Sequence, residues 1–183
     1  MAMTTKLITY EEWLNMPEVS DEIEEVVNGE IVTMPPPKTR HADIVDSLGD
    51  ILKRQVDLAQ VRVRISHFGL VIRKNPLVMR IPDLAMFYKS KVADQDGYIH
   101  SAPELVVEVL SPANTRSERE SKLIDYASLG VPEVWVFSPE ARTVEVLPLE
   151  NGKLRTVHTL REGQLRPKLF PEVVVDVASV WPD

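Results

Sequence analysis

The sequence contains no cysteine. A disulfide framework, a thiol nucleophile and a zinc site with thiolate ligands are therefore excluded. Long apolar runs are also absent, since no stretch approaches the roughly 18 apolar residues that a membrane-spanning helix needs. The N-terminal segment MAMTTKLITYEEWL lacks the continuous apolar core of a signal peptide. These absences predict a cytoplasmic domain that does not cross a membrane.

Glycine and histidine are scarce, with seven and four copies in 183 residues. The glycines are scattered along the chain and form no Gly-rich loop of the kind that cradles a phosphate. Neither a Gly-x-Ser-x-Gly nor a His-Glu-x-x-His motif occurs. Nucleotide-binding and serine-hydrolase interpretations are therefore poorly supported.

The chain carries 28 acidic and 21 basic side chains, which gives a net charge of −7. This balance argues against tight non-specific binding of nucleic acid over the whole surface. Residues 38–122 form the only net-basic third, with fourteen basic against eleven acidic side chains. Random scatter explains this distribution as well as a polyanion-facing surface bounded by acidic flanks does.

Two helices are predicted in the first third of the chain. Thr9 and Glu12 have the spacing of a capping box, which predicts a short helix over residues 9–15. Apolar residues at helical spacing predict a long helix over residues 41–56.

A β-hairpin is predicted over residues 23–34, because two β-rich arms surround Asn28 and Gly29. This pairing places Glu25 opposite Val32. Glu25 then lies between two apolar residues on one strand face, which suggests a specific function. A solvated edge strand explains its position equally well.

The rest of the chain predicts a mixed α/β domain. β-Rich stretches predict strands over residues 61–66, 69–74, 77–88, 104–110 and 133–138, with a loop over 89–102. A capping box from Ser117 to Glu120 opens a helix that ends at Leu129, where Gly130 stops it. This helix connects the last two strands, which should therefore be parallel with a right-handed crossover.

The C-terminal segment adds more β-structure. A hairpin is predicted from residues 143–149 and 154–160, around an Asn-Gly turn. Residues 173–181 are predicted to end the chain as a strand or a short helix against the sheet.

Glu108 is the most informative position, because it lies among Val106, Val107 and Val109 in the predicted strand 104–110. A lone buried carboxylate is costly or stays protonated, so a cation, a metal or a hydrogen-bond network should compensate it. A partly exposed strand end or a structural ion pair is the alternative to a catalytic or metal-binding carboxylate.

Asp83 interrupts a second apolar stretch and follows Pro82, which lacks a ladder donor and indicates an edge or a bulge. An ordinary Pro-Asp bend explains this dipeptide when it is taken alone. Together with Glu108, however, it makes two isolated carboxylates on neighbouring strands, a common way to hold Mg²⁺. Because cysteine is absent and histidine is sparse, a hard-cation site is favoured over zinc.

Lys122 lies in the helix that follows the Glu108 strand. Tyr126 and Leu129 follow it at i+4 and i+7, so it borders the apolar face of that helix. Its amine either points at the carboxylate pair or extends into solvent as an ordinary surface lysine.

Several segments resemble the putative restriction endonuclease family of the PD-(D/E)XK nuclease superfamily. They are EVVNGEIVTMPPP, a helix opened by Arg40 and His41, IPDLAMF, APELVVEVLSPAN and YASLGVPEVWVFSPEARTVEVL. The resemblance implies a single nuclease-like domain over residues 1–183, with an α-β-β-β-α-β core, a mixed sheet flanked by helices, and added N- and C-terminal β-hairpins. Its parts would be an N-terminal helix and hairpin (9–34), a core (41–138) and a C-terminal β-extension (143–181).

The resemblance also implies the site residues. Asp83 and Glu108 would be catalytic metal ligands, joined by the main-chain carbonyl of Val109. The superfamily signature has a lysine two residues after the glutamate, where this chain has Leu110. Lys122 in the following helix takes the place of that lysine.

Three residues have weaker roles in this resemblance. Glu25 matches an acidic position in the first hairpin and would be a further metal ligand. Arg40 and His41 would contact the substrate.

The implied function is a DNA endonuclease that needs Mg²⁺ or Mn²⁺ and hydrolyses phosphodiester bonds as a homodimer. One alternative is a catalytically silent nuclease-fold module that binds DNA or protein, and another is a metal-dependent hydrolase of a different phosphate substrate. The complete set of Asp83, Glu108 and Lys122 favours catalysis. The acidic balance and the lack of a recognisable DNA-binding appendage weaken it.

Overall fold

The computed structural model describes residues 6–17, 23–112 and 115–182. The α-helices in these ranges are α1 (Tyr10–Leu14), α2 (Thr39–Gln55) and α3 (Arg116–Leu129), and short 3₁₀ turns cover Lys89–Lys91 and Val177–Val180. The strands are β1 (Ile23–Val27), β2 (Glu30–Met34), β3 (Val61–Ile65), β4 (Leu70–Lys74), β5 (Leu77–Arg80), β6 (Leu84–Tyr88), β7 (Asp94–Gln95), β8 (Tyr98–Ile99), β9 (Leu105–Val109), β10 (Glu133–Ser138), β11 (Thr143–Glu150), β12 (Lys153–Leu154), β13 (His158–Leu160), β14 (Gln164–Leu165) and β15 (Val175–Asp176).

Most strands belong to two sheets. The first sheet has the order β2-β1-β5-β4-β8-β7, and the second has the order β12-β11-β10-β9-β6-β3, with β13 beside β11. Strands β9 and β10 are parallel and are connected by α3, which confirms the predicted β-α-β unit. The predicted mixed α/β fold with flanking helices is confirmed.

The second sheet is covered on both faces, as the apolar sequence of β9 predicted. Helix α2 packs on one face, with the C-terminal segment beside it. Helix α3 and part of the first sheet pack on the opposite face. The side chains that α2 buries in this core are Ile44, Val45, Leu48 and Leu52.

Local predictions in the N-terminal part are confirmed. The capping box of α1 is present, because the Thr9 hydroxyl accepts from the Glu12 N–H and the Glu12 carboxylate accepts from the Thr9 N–H. Strands β1 and β2 form the predicted hairpin, with Glu25 opposite Val32. Residues 18–22, between α1 and β1, lie outside the described ranges.

The predicted strand 77–88 is wrong as a single element. Strand β5 ends at Arg80 in the first sheet, and β6 begins at Leu84 in the second sheet. Pro82 has no N–H to donate, and the N–H of Ile81 donates to the Glu25 carboxylate instead of to a strand. The ladder therefore stops here, and the chain passes from one sheet to the other.

The predicted capping box of α3 is wrong by two residues. The N-cap is Thr115, whose hydroxyl accepts from the Glu118 N–H, while the Glu118 carboxylate accepts from the Thr115 N–H at 2.7 Å. The backbone is extended at Thr115 and becomes helical at Arg116, so Ser117 lies inside the helix. The predicted stop is confirmed, since Gly130 has a left-handed φ of 88°.

Smaller differences concern the loops and the C-terminus. The predicted loop 89–102 contains the short β7–β8 hairpin. The second arm of the C-terminal hairpin is divided into β12 and β13, both paired with β11. Residues 175–180 form a short strand followed by a 3₁₀ turn, so both predicted alternatives are present. The division of the chain into a core and two extensions stays a prediction. Among the described helices, none has the length and apolarity to cross a membrane.

Candidate active site

Glu108 lies on β9 of the second sheet, and Asp83 directly precedes the adjacent strand β6. Strands β6 and β9 are antiparallel, with Leu84 opposite Val107. Continuing this register by one residue places Asp83 opposite Glu108, and opposite residues of an antiparallel pair project from the same face. The N–H of Val109 also donates to Oδ2 of Asp83 at 2.7 Å. The two carboxylates predicted from the sequence are therefore neighbours.

Glu108 is largely buried beneath α3, with 12% of its side chain exposed. The Tyr126 hydroxyl donates to Oε1, and the Lys122 ammonium donates to Oε2 at 3.1 Å. Burial has the largest effect on the pKa of this carboxyl and raises it. The charge of Lys122 lowers the pKa, whereas the charge of Asp83 raises it. The pKa of Glu108 is about 7 as a result.

Lys122 connects Glu108 with Glu25. Its Nζ lies 3.1 Å from Oε2 of Glu108 and 3.0 Å from Oε1 of Glu25. Burial lowers the pKa of Lys122, but the charges of Glu108, Glu25 and Asp83 outweigh it and raise the pKa above its usual range. The amine is thus a charged group turned away from solvent, although its chemical role stays a prediction.

Glu25 is buried where the first sheet meets α3, with 3% of its side chain exposed. Its Oε1 accepts from Lys122 and from the N–H of Ile81 at 3.1 Å, and its Oε2 accepts from Arg80 at 2.9 Å. Burial raises the pKa of Glu25, but the charges of Lys122 and Arg80 outweigh it, so the pKa lies below its ordinary value.

Arg80 is a site residue that the sequence analysis missed. It is 4% exposed at the end of β5. Besides Glu25, its guanidinium donates to Asp125 and Ser121, both on α3, at 2.7 Å each. The available signal was an arginine at the end of the apolar segment Leu-Val-Met, together with polar residues flanking Lys122.

The helix opened by Arg40 and His41 lies beside the carboxylates, but the two residues differ in their contacts. Nε2 of His41 donates to Oδ2 of Asp83 at 3.2 Å. Burial lowers the pKa of His41, while the hydrogen bond and charge of Asp83 raise it, and the net change is upward. Arg40 instead donates to the main-chain carbonyl of Pro139 at 3.1 Å. Substrate contact by either residue stays a prediction.

The residues fit a hydrated hard cation. Oδ2 of Asp83 accepts two hydrogen bonds, whereas Oδ1 accepts none from the described residues. In the part of the chain that is described, no group of three or more His, Cys, Asp or Glu side chains is arranged to hold a metal ion. At Glu108 each oxygen accepts one hydrogen bond from the described residues and keeps a second acceptor position. Two such carboxylates suit Mg²⁺, which keeps several waters and is often bound by only one or two carboxylates.

A cavity of about 590 Å³ opens beside Lys122 and Glu108. It lies between the β1–β2 hairpin and the first turns of α3. Its walls combine charged groups with apolar side chains, which include Val27, Val32, Met34, Leu110, Leu123 and Val136. A concave surface that leads to titratable groups is the common form of a substrate site.

The mixed sheet and the parallel crossover through α3 are consistent with a restriction endonuclease-like fold. A model of the Uma2 family, described as "Putative restriction endonuclease", matches residues 10–178. The chain belongs to this family.

A solved structure has the same fold. It is the crystal structure of a putative nuclease belonging to DUF820 from Anabaena variabilis ATCC 29413, with a TM-score of 0.78 and 19% identity. The match covers 94% of this chain and 97% of that chain. No curated protein matches this sequence.

Proposed function

We propose that this protein is a Mg²⁺-dependent DNA endonuclease that hydrolyses phosphodiester bonds. The observation that carries the proposal is the contact between the Lys122 ammonium and Glu108, on the strand next to Asp83. Two carboxylates and one lysine are the side chains that the superfamily signature requires. Here the lysine reaches Glu108 from α3 instead of from the strand, where Leu110 stands.

Each residue has a separate task in this mechanism. Asp83, Glu108 and the Val109 carbonyl would hold Mg²⁺ or Mn²⁺. A cation there would supply a more acidic bound water and positive charge beside the scissile phosphate. Lys122 orients the attacking water and offsets the negative charge that develops on the phosphate.

His41 supports this arrangement from α2. Its hydrogen bond and that of the Val109 N–H both reach Oδ2 of Asp83, which fixes the carboxylate and leaves Oδ1 to the cation. Arg40 and His41 lie on the same helix end and are proposed to contact the DNA backbone.

We also propose a homodimer. One chain offers one active centre, and cleavage of both strands of a two-fold symmetric duplex is simplest with two. Light scattering should give the mass of two chains. A mass of 20.7 kDa at every working concentration would contradict the dimer.

The test is incubation of supercoiled plasmid with the protein in Mg²⁺ or Mn²⁺. The wild type should nick and linearise the plasmid, and EDTA should stop the reaction. Asp83→Ala should be inactive, whereas Asp46→Ala, which changes an exposed acid elsewhere on α2, should remain active. Intact plasmid with a wild type that still binds DNA would favour the silent nuclease-fold module.

A further inference from the structure

Glu25 belongs to the first sheet, whereas Asp83 and Glu108 are held by the second sheet. We propose that Glu25 is a positioning residue for Lys122 and is not a metal ligand. This inference rests on the proposed nuclease function and changes the role that the family resemblance gives to Glu25.

Most acceptor positions on the oxygens of Glu25 are occupied. They accept three hydrogen bonds, from Lys122, from the Ile81 N–H and from Arg80. A carboxylate offers about four acceptor positions, so roughly one remains. Only 3% of the side chain is exposed, whereas Asp83 is 19% exposed and Glu108 is 12% exposed. A hydrated cation therefore finds more unoccupied carboxylate oxygen positions at Asp83 and Glu108 than at Glu25, although Glu25 also borders the cavity beside Lys122.

The charges around Glu25 lead to the same conclusion. A cation bound to Glu25 would lie against two positive groups, the Lys122 ammonium and the Arg80 guanidinium, each about 3 Å from that carboxylate. Of the described positive groups, a cation bound to Glu108 would meet only the Lys122 ammonium at such a distance. Arg80 cannot turn away easily, because Asp125 and Ser121 hold its other nitrogens. Like charges at such distances in a buried site repel strongly.

Lys122 gains a fixed position from this arrangement. A lysine side chain has four rotatable carbon bonds, and a single ion pair leaves much of that freedom. Glu25 and Glu108 come from different sheets and hold Nζ from two directions at 3.0 and 3.1 Å. Since Glu108 must also hold the cation, Glu25 keeps the ammonium in place whatever Glu108 binds.

The test compares Glu25→Gln with Asp125→Asn. Both changes neutralise an acid that contacts Arg80, but only the first removes a partner of Lys122. Glu25→Gln should lower kcat for duplex cleavage roughly 100-fold, since small displacements of a catalytic group have effects of this size. Its KM for DNA and its Mg²⁺ affinity in calorimetry should stay within about twofold of wild type, and Asp125→Asn should keep kcat within about twofold.

Glu25→Asp tests reach separately from charge, because it keeps the carboxylate but withdraws it by one methylene. Its kcat should lie between those of wild type and Glu25→Gln. Urea unfolding of each variant establishes that the folded protein is being compared.

Three results would overturn the proposal. If Glu25→Gln weakened Mg²⁺ binding in calorimetry as much as Glu108→Gln does, Glu25 would be a ligand. Equal losses of kcat in Glu25→Gln and Asp125→Asn would indicate a structural role only. A crystal structure of Glu25→Gln with Nζ of Lys122 unmoved would exclude positioning. Calorimetry and that structure need no cleavage, so they decide the role of Glu25 even if the wild type proves inactive.

Discussion

Replacing Glu108 by glutamine is expected to make the cation-free protein more stable above neutral pH, while abolishing Mg²⁺ binding and cleavage. Glutamine has the size of glutamate and resembles its protonated form. The substitution therefore removes the buried charge and leaves the packing beneath α3 unchanged. Acids placed for catalysis often destabilise the fold that carries them.

The size of the effect follows from the pKa of Glu108, which is about 7 against an ordinary value of 4.5. A carboxyl with a raised pKa in the folded state binds its proton more tightly there than in the unfolded chain. Its contribution to stability is thus complete at low pH and is lost as the pH rises from 4.5 to 7. Each pKa unit corresponds to about 1.4 kcal/mol, so ionised Glu108 costs about 3 kcal/mol at pH 8.

Urea unfolding in EDTA, followed by tryptophan fluorescence, measures this difference. Glu108→Gln should exceed the wild type by about 3 kcal/mol at pH 8 and by less than about 1 kcal/mol at pH 5. Glu140→Gln changes an exposed acid and is the control, with an expected effect within about 0.5 kcal/mol at both pH values.

The opposite result would refute this reasoning. If Glu108→Gln were less stable than the wild type at pH 8, the attraction of Lys122 would outweigh burial and the charge of Asp83. A difference that did not change with pH would show that Glu108 does not titrate in this range.

Three further changes test the site and its supporting helix. Lys122→Ala should abolish plasmid cleavage but leave the Mg²⁺ affinity in calorimetry little changed. Lys122→Arg should not restore cleavage, because a planar guanidinium cannot replace a compact ammonium in a confined site. Thr115→Ala should lower the free energy of unfolding by about 1 kcal/mol through loss of the cap, whereas Ser117→Ala should stay within about 0.5 kcal/mol; equal losses would contradict the observed N-cap. Gly130→Ala should cost about 1 kcal/mol in urea unfolding, because the left-handed φ of 88° strains a residue with a Cβ, and an unchanged midpoint would argue against this.

Signals that act within a few residues predicted local structure well. The Thr9 capping box, the Asn28-Gly29 turn and the Gly130 stop each depend on a short segment. Each was found where it was expected. The cap of α3 was misplaced because two overlapping Ser/Thr-x-x-Glu patterns occur, and only the observed structure distinguishes Thr115 from Ser117.

The location of the acidic pair was also predictable, because an acid inside an apolar strand requires compensation. The partners that compensate it were less accessible to sequence reasoning. Arg80 and Glu25 are 55 residues apart and meet only after the first sheet forms. Tyr126 was identified by its apolar ring, and nothing local predicted that its hydroxyl would reach Glu108.

The two carboxylates that contact Lys122, Glu25 and Glu108, belong to different sheets. One part of the site can therefore unfold while the other part stays folded. Local opening of the β1–β2 hairpin would separate Glu25 from Lys122 while β6, β9 and α3 remained folded. Openings of this kind require less free energy than global unfolding. Under the proposed mechanism cleavage requires a docked hairpin, so cleavage activity should disappear at a lower denaturant concentration than the bulk secondary structure does.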